Sequence, residues 1–337
     1  MSQQAPAQAQ LLQQAQILQQ AMAALQAQDF AAAADGFEAA LAGMPSHPGI
    51  LRSLVMLRSR LGEYAKALAH AEAALALDGG DADAALQDQR LAAMARCGQA
   101  EQALALAGQV PVQNAAFRRG DCLLLLQRPA DALAELETAL QAQPDRPDIL
   151  TLAAEAAYRC GRLEAARLWL DRAAALEPDN RSTRMARATI LLSLGPGDPA
   201  RWHQGLLDYE ARLWPDDALR IERRLDLPRW QGEPMTGRHL LICAEQGIGD
   251  QIRFATALPA LLAQGMRITI ECAERLVPLL ARSWPQLTVH AAQEKRLGRN
   301  HVFVYDWLPQ DIGSGRPDRY IESGSLALRL FELGVMH

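Results

Sequence analysis

From about residue 14 the chain repeats one arrangement of apolar and polar positions. The segments "DFAAAADGFEAALAGMP", "GEYAKALAHAEAALALD" and "GRLEAARLWLDRAAALEP" share it. Each starts at a turn residue, follows it closely with an aromatic or leucine, and continues with small residues at three- and four-residue steps. That spacing predicts an amphipathic helix. A further copy, "RPADALAELETALQAQP", has Gln127 where the second and third open on glycine.

The copies keep a register. Pro144 and Pro178 close successive units and lie 34 residues apart, while Gly62 and Gly98 are 36 apart. Small residues recur at Ala33, Ala40, Ala67, Ala74, Ala132, Ala139, Ala166 and Ala173, where paired helices can approach closely. These features resemble the tetratricopeptide repeat, a helix–turn–helix unit of about 34 residues. Five units are expected between residues 14 and 180, the third degenerate. A sixth is expected over 181–214, broken at "GPGDP", with Trp202, Leu206, Tyr209 and Leu213 returning at helical steps. Residues 1–13, rich in Gln, Ala and Pro, are expected to form a disordered leader, and 14–214 an all-α solenoid.

After residue 214 the pattern changes. Residues 215–237, with their Pro, Asp, Arg and Trp, read as an irregular connector in which Trp214 and Trp230 anchor packing. The continuous apolar run in "RHLLICAE" predicts a buried strand. "IGDQIRFATALPALLAQG" predicts a helix packing through Ile252, Ala255, Leu258, Leu261 and Leu262, kinked or broken at Pro259. "MRITIEC" predicts a second strand, "AERLVPLLARSWP" a helix perturbed by Pro278, and "QLTVHA" and "HVFVYDW" a third and fourth strand. Strands alternating with helices imply an open, mostly parallel sheet over residues 238–337, closed by a Gly-rich stretch and one short helix.

Composition narrows the chemistry. A net charge of -5 weighs against a general nucleic-acid binder. Cys97, Cys122, Cys160, Cys243 and Cys272 show no C-x-x-C spacing and read as free thiols in a reducing compartment. No apolar run spans a bilayer and no secretory signal opens the chain, so the cytoplasm is the expected location. No metal site or cofactor is expected; His239, His290 and His301 read as structural or surface residues.

The chemistry concentrates in "AEQGIGDQIRF". Turns after strands of a parallel sheet are where ligands collect. Gly247 and Gly249 allow close backbone approach or positive φ. Asp250 either caps the following helix or faces a ligand. Glu245 and Gln246 either solvate the turn and strand end or contact substrate, and Arg253 is either a surface residue or a partner for phosphate or for Asp250. The stretch is neither a dinucleotide fingerprint nor a Walker loop: no third glycine follows, and no Gly-Lys-Ser or Gly-Lys-Thr.

A repeat array followed by Trp230-x-Gly232 and then by Glu245, Gln246, Gly247, Gly249, Asp250, Phe254, Leu258 and Pro259 resembles the bacterial tetratricopeptide-repeat glycosyltransferase-like proteins. Thr256 stands at or near a position where that family often has arginine. Beyond "VYDW" only Gly313 and Ser314 keep an echo of its next turn. The resemblance implies a Rossmann-like GT-B half-domain, similar to heptosyltransferases and to repeat-bearing O-GlcNAc transferases. It implies metal-independent glycosyl transfer with Asp250 as base or acceptor-orienting group, and polar substrate groups near Glu245, Gln246, Gly247, Gly249 and Arg253. In GT-B enzymes the second lobe holds the donor, so a nucleotide-sugar is expected only if such a lobe is supplied. Two uses stay open: an enzyme acting on a protein or glycan acceptor, or a scaffold binding a peptide or protein on the concave face of the repeats. For that face Gln87, Arg90, Asn114, Arg118, Arg119 and Arg159 are candidates.

Overall fold

The computed structural model describes residues 4–77, 83–214, 220–245, 247–297, 300–308 and 315–335. The chain divides into two compact units, Met1–Ala186 and Arg187–His337.

The first unit is built of antiparallel helix pairs: α1 (Gln4–Gln26) with α2 (Phe30–Gly43), α3 (Pro48–Arg60) with α4 (Tyr64–Leu75), α5 (Ala84–Met94) with α6 (Ala100–Leu106), α7 (Ala115–Leu125) with α8 (Pro129–Ala142), and α9 (Pro147–Arg159) with α10 (Leu163–Leu176). Residues 4–13, expected to be disordered, are instead the opening turns of α1, a run of Gln and Ala, both strong helix formers. Local chemistry fixes where helices begin. Asp29 accepts from the Ala32 N–H at 3.1 Å and Asn114 from the Phe117 N–H at 2.9 Å, while α3, α8 and α9 carry proline in the first turn. Helices stop at left-handed residues. Gly62 (φ 72), Gly161 (φ 75) and Gln127 (φ 59) turn the chain at equivalent points of three pairs.

The small residues do what their spacing predicts. Ala33, Ala40, Ala67, Ala132, Ala139, Ala166 and Ala173 have no exposed surface. The core is a series of local clusters rather than one centre; α1–α3 close around Phe37, Leu54 and Leu57, and the next cluster gathers Leu51, Val55 and Leu86. Arg58, 1% exposed, pins α2 to α3 and the following turn through Asp35 at 2.9 Å, Glu38 at 3.0 Å and Glu63 at 2.8 Å.

The boundary between units falls inside α11 (Arg181–Ser193), the helix that opens the expected sixth repeat. In the second unit its C-terminal part pairs with α12 (Pro199–Tyr209) through Arg187 and the fully buried Asp208 at 2.5 Å. The break at Gly195, where φ is 81, follows the expected one.

Two sheets follow. The four-stranded sheet is parallel throughout, in the order β4 (Thr288–Ala291), β3 (Arg267–Cys272), β2 (His239–Cys243), β7 (Arg319–Glu322). The other joins β1 (Arg220–Arg224) parallel to β6 (Asn300–Val304), which in turn pairs antiparallel with β5 (Glu294–Leu297). This corrects two expectations. The "HVFV" strand belongs to the second sheet, and the place beside β2 goes to "RYIE", expected to be loop. Within the expected connector, "RIERR" is a strand although Ile221 is 58% exposed, because backbone pairing with β6 suffices without an apolar face.

Helix α13 (Ile248–Ala255) ends before α14 (Leu258–Ala263), so the stretch through Pro259 is broken rather than kinked. The break re-phases the two faces. Leu258 and Leu261 are buried as expected, whereas Ile252 is 47% exposed. Helices α15 (Val277–Ser283) and α16 (Leu326–Glu332) complete the unit. Trp230 is fully buried, donates to the Glu233 carbonyl at 2.8 Å, and leads to Gly232, whose φ of 100 requires glycine.

Candidate functional site

The first candidate is a groove of about 790 Å³ in the helical unit. Side chains from the first helices of successive pairs line it: Ser59 on α3, Ala92 on α5, Phe117 and Arg118 on α7, Thr151 and Leu152 on α9, and Thr183 at the start of α11. Phe117 lies under two guanidinium groups, Arg118 at 5.2 Å and Arg146 at 5.1 Å from its ring centre. Arg118 is nearly buried and held by Asp88 at 2.6 Å and Asp121 at 2.8 Å, so its charge is spent on the fold. Arg96 and Arg146 are about one-third exposed, at 32% and 34%, and keep a solvent-facing side. Arg96 forks onto Asp121 at 3.0 and 3.2 Å. Arg146 pairs with Asp148 and donates to Gln143 at 2.9 Å. Phe117 itself is only 7% exposed, so the surface offers cations and carboxylates above a largely covered aromatic floor, which suits an extended peptide.

Of the six concave-face candidates, Arg118 lines this groove. Asn114 caps α7, Arg119 forks onto Glu135 at 2.9 and 2.7 Å, and Arg159 pairs with Glu155 at 2.6 Å. Gln87 is buried, and Arg90 reaches it at 3.4 Å. Tyr64, Arg96, Phe117, Arg146 and Asp148, which also line or flank it, come from different repeats at no common spacing, and no local pattern groups them.

The second candidate is the turn after β2. All five residues of that strand are buried, which aims Ala244 and Glu245 at the carboxyl edge of the sheet. Glu245 is 9% exposed there, and its oxygens accept from Arg212 at 3.1 and 2.9 Å and from the Gly324 N–H at 2.9 Å. Its hydrogen-bonding capacity is thus used at the strand end. Gln246 lies outside the described residues, as do Gly313 and Ser314. Gly247 precedes α13 with φ at -75, so neither positive φ nor crowding requires glycine: a Cβ at Gly247 or Gly249 would meet nothing within 4 Å. Asp250 stands in the first turn of α13 and pairs with Arg253 at 3.0 Å, the two being 39% and 64% exposed. Arg253 also lies 5.0 Å from the Phe254 ring centre. Asp250, Gly249 and Arg253 therefore share an exposed helical turn, with Glu245 behind them.

Two more glutamates, unread in the sequence, close neighbouring strands. Glu322 on β7 pairs with Arg229 at 2.7 Å. Glu271 on β3 accepts from the Ala244 N–H at 3.0 Å and faces Arg223 and the Tyr305 hydroxyl, each at 3.4 Å. Burial pushes the Glu271 carboxyl above its ordinary range despite Arg223, and its Oε1 has no partner. For Glu271 the signal is an acidic residue near the end of the apolar run "RITIEC"; "RYIE" carries no such signal. Burial also raises the Cys243 thiol to about 12 and the Cys122 and Cys272 thiols to about 11, which makes them unreactive. His239 meets Thr269 at 2.8 Å, and His290 stacks on Trp307 at 3.9 Å. Among the described residues no cluster of His, Cys, Asp or Glu gathers as a metal site, and no helix is long and apolar enough to cross a membrane.

Comparison with known proteins identifies the repeats. Residues 18–82 with 89–147, and residues 123–190, match tetratricopeptide repeat families, so the chain carries tetratricopeptide repeats. Protein FlbA of Caulobacter vibrioides is 31% identical over 300 residues, a match spanning 83% of this chain and 48% of that protein. The chain thus spans about half the length of this curated relative. The repeat matches end at residue 190, so the likeness extends into the second unit. Among solved structures, a thermophilic TPR protein of Thermus thermophilus is 25% identical, covering 53% of this chain and 99% of that one, with a TM-score of 0.43. Pseudomonas aeruginosa PilF is 20% identical over 60% of this chain and 92% of its own, with a TM-score of 0.42. YrrB, described as a TPR protein with an unusual peptide-binding site, is 19% identical over 50% and 88%, with a TM-score of 0.34.

Proposed function

We propose that the repeats capture an extended peptide segment of a partner protein. The supporting observation is Phe117 beneath Arg118 and Arg146 in a groove lined by successive first helices. A bound segment would lay an apolar side chain against the half-buried Ala92 and Leu152, over the floor that Phe117 supports, and a carboxylate beside Arg146 or Arg96, where partial burial strengthens the charged contact. The test is a labelled peptide array of acidic decamers with one central Phe or Leu, followed by anisotropy on the hits. Phe117→Ala and Arg146→Glu should each weaken binding about ten-fold or more, while Arg172→Ala, on the outer helix α10, should leave it unchanged. Binding indifferent to both groove substitutions would overturn the reading.

A second reading concerns the α/β part, taken as a glycosyltransferase-like lobe over 238–337, joined by the connector 215–237 to repeats over 14–214. Glycines at 247 and 249 that the fold does not require support it, as does Asp250 exposed on the first turn after a buried parallel strand. In that reading Asp250 draws a proton from, or orients, an acceptor hydroxyl. Arg253 and the turn receive polar substrate groups, and a glycan or protein acceptor meets a nucleotide-sugar held by a supplied second lobe. Buried free thiols fit a cytoplasmic setting. Transfer from a panel of nucleotide-sugars, measured with the relevant second lobe present, should fall at least about 100-fold in Asp250→Asn. Undiminished transfer in that variant would remove Asp250 from the chemistry.

A further inference from the structure

The second unit holds a cleft that shares only Arg253 with the second reading and nothing with the first. Its volume is about 430 Å³, within the size range of small-molecule sites. Its walls come from α11, α12, α13 and α16. Aromatic and aliphatic surface predominates, from Trp202, Leu206, Tyr209, Phe254 and Leu326. Tyr209 and Phe254 meet at a tilt of 54° with ring centres 6.5 Å apart, which makes a corner against which a flat ring can pack. Among the described lining residues, Arg253 alone carries a formal charge, and it is 64% exposed. One neutral polar group in the wall is unusual. Ser323 is 5% exposed, and its hydroxyl is buried with no hydrogen-bond partner. Such a group is destabilising where it stands, and a change of χ1 rotamer is the motion that would turn it to an occupant.

The geometry points to a site for a small aromatic carboxylic acid, its ring seated against Tyr209 and Phe254 and its carboxylate paired with Arg253. The volume suits one or two fused rings. The guanidinium, its charge partly compensated by Asp250, favours an anion over a basic ligand, and the apolar walls disfavour a strongly polar sugar or phosphate body. Asp250 already holds one face of Arg253 at 3.0 Å, which orients the guanidinium and leaves its other N–H groups for the ligand. This site is independent of peptide capture by the repeats.

The test compares 1-naphthylacetate with 1-naphthylacetamide on the full chain, by ligand-observed NMR and calorimetry. The acid should bind about three-fold more tightly than the amide, the worth of one solvent-exposed charged contact. Arg253→Gln, a change at an exposed position, should reduce that preference to about one while leaving the amide unaffected. Ala327→Trp should fill the cleft and abolish both. Ser323→Ala removes no hydrogen bond; it should raise the melting temperature of the free protein by about 2–4 °C and weaken the acid about three-fold. Equal binding of acid and amide, a preference that survives Arg253→Gln, or no binding up to millimolar concentration would each overturn the assignment.

Discussion

Arg212 and Glu245 face one another as a two-bond fork, at 3.1 and 2.9 Å, with side chains only 3% and 6% exposed. The same guanidinium reaches Glu210 at 2.8 Å and Ser325 at 2.7 Å, so one cation bridges two carboxylates at the carboxyl edge of the sheet, and Arg229 adds a second cation to Glu210 at 2.9 Å. Ligands of parallel sheets ordinarily collect at this edge. Here an arginine of the chain itself fills part of it.

Arg212→Ala should therefore lower stability by about 3–5 kcal/mol, because it strands the buried Glu245 and leaves Glu210 with less compensation. Urea unfolding of the full chain measures this. A loss under about 1 kcal/mol would mean that the carboxylates find water or other partners. The double variant Arg212→Met with Glu245→Leu should recover most of the loss.

Two glycines on helices separate packing from function. A Cβ on Gly120 would come within 2.5 Å of Leu136, itself fully buried, so Gly120→Ala should destabilise by about 1–3 kcal/mol. A Cβ on Gly249 meets nothing, so Gly249→Ala should stabilise by about 0.5–1 kcal/mol through helix propensity. If the turn receives a substrate, the second change should also cost turnover. A pair of melting curves decides the stability half.

At Gln127 a side chain occupies the left-handed position that glycine takes at Gly62 and Gly161. Gln127→Gly should stabilise by about 0.5–1 kcal/mol, the relief of left-handed strain less the added freedom of the unfolded chain. The change gives up one contact from Arg159 at 3.2 Å, which is exposed and weak. Denaturant midpoints of the two proteins are the comparison; an unchanged or lower midpoint counts against the strain argument.

Glu271 should leave a signature in pH. Burial raises the Glu271 carboxyl although the Arg223 guanidinium opposes it. The 3.4 Å separation and the stranded Oε1 favour the neutral acid. A carboxyl that holds its proton more tightly folded than unfolded contributes its full stabilisation below the ordinary glutamate pKa of about 4.3. That contribution is lost as pH rises through the raised folded value. Wild type should thus lose ground to Glu271→Gln between acid and neutral pH. Glu210, whose carboxyl is lowered although burial opposes it, because Arg212, Ser325 and Arg229 favour its charge, works in the opposite sense. Unfolding of wild type and variant across pH is the measurement, and a constant gap would assign Glu271 an unshifted pKa.

The repeats were legible because their signal is periodic: small residues recur where helices touch, and the alanines so identified are buried. β2 and β3 were legible as apolar runs before turns. β1 and β7 were not, since "RIERR" and "RYIE" carry charges that resemble loop, and what makes them strands is pairing to β6 and to β2. Ile252 is exposed for a related reason: a helical face can be projected only as far as the helix runs. In the groove, Phe117 and Arg146 come from different repeats, and their meeting depends on how pairs stack. Glu245 was read from its position at the turn, but its partner lies in a distant helical turn that no local pattern announces.

The local clusters of the first unit have a mechanical consequence. Because each pair packs on its neighbours rather than around one common centre, tension applied along this unit would open it pair by pair from an end. The force trace should be a series of small yields instead of a single rupture, and a relaxed stretch could re-zip on any pair still folded.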